Sequence, residues 1–116
     1  MPDISKLSIK SARIALQKKE FSARELTGAS LDAIKEKDSG LHAFLEVFDD
    51  VLEQADETDK KIANGENLPL LGIPIAIKDN MLVESKHATA GSKILEGFVA
   101  PYDGTAVKKL KASGAI

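Results

Sequence analysis

Through its first half the chain repeats apolar residues every three or four positions, the spacing of amphipathic helices. Ile9, Ala12 and Leu16 fall on one face of a first helix that runs from a cap at Ser8 to about Lys19. Ser22-Ala-Arg-Glu25 is a capping box, in which the serine oxygen takes a first-turn amide and the glutamate reaches back. The helix it opens sets Leu26, Ser30, Ala33 and Ile34 together, runs to about Lys37 and is closed by Asp38-Ser-Gly40. His42 to Phe48 reads as extended, although Phe44 and Leu45 adjoin rather than alternate. A third helix starts near Asp49 or Asp50, whose charge suits a helix N-terminus, and carries Val51, Ala55, Thr58 and Ile62 as its stripe up to Gly65.

The pattern changes at Gly65. After a connector, Ile73, Ile75 and Ile77 alternate with Pro74 and Ala76, so both faces are apolar, as in a strand covered on two sides. That strand runs directly into Lys78-Asp79-Asn80. Residues 79–103 are irregular, with one helical turn that Ser92 can cap. A last helix spans Gly104 to Ser113, with Val107 and Leu110 inward, Asp103 as its cap and Gly114 as its stop. Ala115-Ile116 reads as the first step of another strand. Strand, crossover, helix and strand make a βαβ unit, and one buried strand cannot satisfy its backbone ladder alone. The expectation is therefore the N-terminal part of a larger α/β protein. It has a helical segment at 1–65 and the beginning of an α/β core at 66–116, incomplete as a domain.

Composition narrows the chemistry. Sixteen basic residues against eighteen acidic ones leave a net charge of −2, and Lys18-Lys19, Lys60-Lys61 and Lys108-Lys109 are isolated pairs rather than a nucleic-acid face. The absence of cysteine excludes a disulfide framework, a zinc knuckle and a thiol nucleophile. His42 and His87 lie far apart without ligand spacing, so no metal site is expected. No apolar run approaches the roughly 20 residues of a membrane span, and Met-Pro-Asp-Ile-Ser lacks the features of a secretory leader, so a cytoplasmic protein is expected.

The one residue whose placement asks for a chemical account is Lys78. An ammonium at the end of an apolar strand either snorkels to solvent or is held at the carboxyl end of a sheet, where open α/β folds place their sites. Pattern alone leaves both open. It also leaves open a helical interaction module, in which residues 8–65 dock a partner and Lys78 has no catalytic part. Asp79 and Asn80 read as turn formers after the strand.

Gly72-Ile-Pro-Ile-Ala-Ile-Lys-Asp-Asn80 closely resembles the lysine motif of the amidase signature family. Ser92-Lys-Ile-Leu-Glu-Gly-Phe98 and Pro101-Tyr-Asp-Gly-Thr-Ala-Val107 resemble the segment that follows it in one branch, the A subunits of aspartyl/glutamyl-tRNA amidotransferases. The likeness implies the amidase signature fold, helices covering a mixed sheet, cut at the start of its second core strand. It implies Lys78 as the catalytic base, acting through a bridging serine on a serine nucleophile that attacks an amide carbonyl and releases ammonia. The serine-rich and glycine-rich loop that supplies both serines and the oxyanion hole would lie beyond Ile116. Residues 1–116 alone are therefore expected to be inactive.

For the branch, the resemblance further implies glutamine as substrate and B- and C-type partner subunits. Those subunits would use ATP, with Mg, to amidate Glu or Asp misacylated on tRNA. A general amidase of the same family is the alternative.

Overall fold

In a computed structural model that describes residues 1–116, four helices form: α1 (Ile9–Gln17), α2 (Ala23–Leu41), α3 (Val51–Ala63) and α4 (Thr105–Ala112). Short 3-10 turns lie at Ile4–Lys6 and Lys93–Leu95. Both helix starts read from serine form as expected. Ser8 Oγ accepts from Ser11 N at 3.1 Å while Ser11 Oγ accepts from Ser8 N at 2.9 Å. Ser22 Oγ accepts from Glu25 N at 3.0 Å, and the Glu25 carboxylate accepts from Ser22 N at 2.8 Å. The remaining first-turn amides of α2 donate to α3 instead. Ala23 N and Arg24 N reach the two carboxylate oxygens of Asp59 at 2.7 and 3.1 Å. This places a full negative charge at the positive end of α2 and leaves none of its first-turn donors orphaned.

Two of the helix ends follow one geometry. After α3, Gly65 takes φ 84° and the amides of Gly65 and Glu66 donate back to Ile62 and Lys61. After α4, Gly114 takes φ 90° while Gly114 and Ala115 donate to Lys111 and Leu110. Both are Schellman turns. The expected stop for α2 at Asp38-Ser-Gly40 is corrected. Gly40 stays helical and the reversal comes at His42, which adopts φ 52°. Asp38 then acts from within the helix, its Oδ1 accepting from Ala43 N and Phe44 N at 2.7 and 3.2 Å. Those bonds turn residues 42–48 off the helix axis, and no strand forms there.

The core is built where α1, α2 and α3 meet residue 73. Ala12, Leu16, Ala23, Leu26, Ala55 and Ile73 form one buried cluster. Alanines at three of these positions let the helices close, and Ala23 and Ala55 are wholly inaccessible. Gly72 enters this junction at φ 83°, where a Cβ would stand 2.9 Å from Leu16 Cδ1. A side chain there would be both strained and obstructed.

The expected mixed sheet is not present. Residues 73–77 are extended, but Ile75 and Ile77 are only half-buried and no ladder runs along them. Along this run the long-range backbone bonds are to Ile116, which donates to Ile73 O and accepts from Ile75 N, each at 3.0 Å. That pair of bonds brackets residue 74 as parallel pairing does. Elsewhere, one isolated antiparallel bridge joins His87 and Val99. A sheet needs neighbours along the whole length of each strand, and here one residue faces 73–75. No helix is long and apolar enough to cross a membrane.

Candidate functional site

The turn at Gly72 sends the chain out of the core as an extended run, and alternation then decides what each residue meets. Ile73, Ile75 and Ile77 lean inward, whereas Ala76 and Lys78 share the outer face and are exposed. Lys78 is thus exposed in this structure, and the cleft it lines also takes in Ala76. Met81 N donates to Lys78 O at 2.9 Å and turns the chain immediately after the lysine. Lys78 lines a cleft of about 440 Å³ with Phe44, Phe48, Met81 and Val83. Its ammonium takes part in no salt bridge.

Asp79 is held far more firmly than a turn former requires. Its Oδ1 accepts from Thr89 N at 3.0 Å, and its Oδ2 accepts from the Thr89 hydroxyl and from Gly91 N at 3.4 Å. Its main-chain carbonyl accepts from Ala90 N at 3.1 Å. Three consecutive amides can converge on one residue because Ala90 and Gly91 both take left-handed φ, 49° and 69°. Successive N–H groups so arranged make a concavity that collects anionic oxygen. For alanine that conformation costs about 1–2 kcal/mol, so the loop's other contacts must hold it in place.

These donors, the Thr89 hydroxyl first and the Thr89 amide next, hold the Asp79 carboxyl below the ordinary value of 3.8. A depressed value in the folded state adds stability above pH 3.8 that is lost as pH falls through the lower folded value. The amide chemical shifts of Thr89 and Gly91 should therefore titrate with a midpoint below 3.8. A midpoint at or above that value would show that the loop does not grip the carboxylate.

Two further contacts frame the cleft. His87 Nδ1 lies 3.2 Å from Glu46 Oε2, joining the 42–50 connector to the loop that carries Thr89. Lys86 donates to Asp50 Oδ1 at 2.9 Å and lies 4.9 Å from the centre of the Phe48 ring. That ammonium holds the Asp50 carboxyl below its ordinary range. It also draws Asp50 off the helix start, where the carboxylate makes no side-chain cap bond.

Two expected caps are corrected in the same way. Asp103 does not cap α4. Its Oδ1 accepts from Glu84 N at 2.8 Å and from Lys111 Nζ at 2.9 Å, a backbone amide and an ammonium. Ser92 precedes its turn without a side-chain cap bond. No group of three or more His, Cys, Asp or Glu side chains is placed to hold a metal.

Thr89 and Gly91 hold Asp79, while Glu46 and His87 line the cleft beside Lys78, and the sequence alone singles out none of them for these contacts. The available signal was weak. Thr89 is a lone hydroxyl among small residues, ten positions from the acid it binds.

Comparison with known proteins decides the family. The Amidase family model matches residues 25–116. The chain belongs to the amidase signature family. The A subunit of glutamyl-tRNA(Gln) amidotransferase from Gloeothece citriformis (strain PCC 7424) is 50% identical over 111 residues, covering 94% of this chain and 23% of that protein. The protein of the same name from Geobacter sp. (strain M21) is 44% identical over 115 residues, 98% of this chain and 24% of that one. The native peptide amidase from Stenotrophomonas maltophilia superposes with a TM-score of 0.92 at 30% identity, over 98% of this chain and 24% of that chain. The amidase fold is thereby supported, and the chain spans 23–24% of the length of these relatives.

Proposed function

We propose that this chain is the N-terminal part of the A subunit of a tRNA-dependent amidotransferase, the component that hydrolyses glutamine and supplies ammonia to its partners. The observation that carries the reading is 44–50% identity, over 94% or more of the chain, to proteins named as that subunit. In this reading Lys78 is the general base. A lysine serves as a base when its surroundings disfavour the ammonium. The exposed face it shares with Ala76 is where the rest of the family's core would close over it and deliver the two serines. The nucleophile forms the acyl-enzyme, and ammonia leaves for the partner subunits, which use ATP and Mg to amidate misacylated Glu-tRNA or Asp-tRNA. The division at residue 65, between helical segment and α/β core, belongs to the same proposal, as does the inactivity of residues 1–116 alone.

The close superposition on a peptide amidase favours a second reading, a general amidase. One experiment separates them. The full-length protein is assayed with B- and C-type subunits for glutamine- and ATP-dependent amidation of misacylated tRNA, and alone for hydrolysis of small peptide amides. The proposal expects amidation in the first assay and little turnover in the second. Turnover of peptide amides by the isolated protein, without glutamine-dependent amidation, would replace it by the general amidase.

A further inference from the structure

We propose that Thr89 is a positioning residue for Lys78: it engages the Asp79 carboxylate and so keeps the neighbouring acid from pairing with the lysine. The inference rests on the reading of Lys78 as the base. The cleft that holds Lys78 is lined by two carboxylates, Glu46 and Asp79, and by His87. Lys93 and Glu96 line the adjoining depression, which Asp79, Glu46 and His87 also border. Each carboxylate of the Lys78 cleft is bound by a donor other than the lysine. Glu46 faces His87 Nδ1 at 3.2 Å. Asp79 receives Thr89 N at 3.0 Å, the Thr89 hydroxyl and Gly91 N at 3.4 Å.

Two acids line the cleft that holds Lys78 and could serve it as counter-ions. Lys78 has none. For a lysine that must lose its proton, that arrangement has a direct consequence. An ion pair would hold it as the ammonium, whereas an acid held by other donors is kept from that close contact. The Thr89 hydroxyl is the part of the arrangement that a side-chain change can remove while the backbone amides stay.

The test uses the full-length protein with its partner subunits and reads kcat for glutamine hydrolysis against pH. Thr89→Val removes the hydroxyl and leaves Asp79 Oδ2 with only the long contact from Gly91 N at 3.4 Å, so that this oxygen becomes available to Lys78. The acid limb of the profile should move up by about one unit, with kcat near neutrality down about tenfold and recovered at higher pH, as an opposite charge beside a base implies. Thr89→Ser should restore the original profile. Asp79→Asn, which has no charge to offer, should leave the limb unraised. Thr89→Ala gives the same reading as valine where the branched side chain is not accommodated. An unmoved limb in both hydroxyl-free variants, or a loss equal at every pH, would overturn the inference. Lys78→Ala is run alongside. If that variant keeps its glutaminase activity, the reading of Lys78 itself falls. If it is inactive while the Thr89 variants are unchanged, only the positioning role falls.

Discussion

Lys78→Arg in the full-length protein is expected to cut glutamine hydrolysis by about 10²–10⁴-fold, the usual worth of a positioned general base. Arginine keeps the charge and most of the length, but its guanidinium does not give up a proton near neutrality. Lys78→Ala removes the base altogether and should act in the same direction. Because Lys78 stands on an exposed face and forms no ion pair here, neither change removes a contact that holds this part of the fold. Folding and partner assembly should persist. Amidation driven by added ammonia should survive as well, since it bypasses glutamine hydrolysis. Near-normal glutaminase activity in Lys78→Arg would mean that the lysine only snorkels to solvent.

The second large effect concerns stability. Gly65 and Gly114 occupy the same position after their helices, with φ of 84° and 90°. An alanine at either would suffer the same left-handed strain, about 1 kcal/mol. Their surroundings differ. A Cβ on Gly65 meets nothing within 4 Å, whereas one on Gly114 would stand 2.7 Å from Leu71 Cα and 2.9 Å from Leu71 Cδ1. Backbone cannot swing aside as a flexible side chain can, so the clash adds about 1–3 kcal/mol of overpacking. Gly114→Ala should therefore cost clearly more than Gly65→Ala, measured as the shift in denaturant midpoint. It should also disturb the bond from Gly72 N to Gly114 O, 3.2 Å, which leads into the Lys78 segment. Equal losses in the two variants would show that conformational strain alone sets the cost.

The helices were legible because their signals are local. Ser8 and Ser22 sit three residues from the groups that complete their caps, and Gly65 and Gly114 act on the turn just before them. Lys78 was legible through the motif around it. What escaped depended on distant partners. Asp103 and Asp50 both precede helices, and each would cap in isolation. A lysine eight residues on and a lysine thirty-six residues on take them elsewhere. That Ile75 and Ile77 are only half-buried has a similar reason. Alternation tells which residues share a face, but what covers that face lies outside the pattern. The Asp79–Thr89 contact is the clearest case, because nothing about either residue names the other.

The clasp between Asp59 and the start of α2 bears on the order in which this region is assembled. Ser22 and Glu25 lie within one turn of each other, so they can organise the first turn of α2 as soon as those residues emerge during synthesis. Asp59 comes thirty-six residues after Ala23, and α2 must wait for it. In the interval the helix carries half of its cap and little of its burial, since Ala55 and Ile73 also arrive later. The arrival of Asp59 converts a provisional helix into one side of a closed pair. Only then does the pocket exist into which Ile73 inserts, so the segment leading to Lys78 is laid on a floor already set.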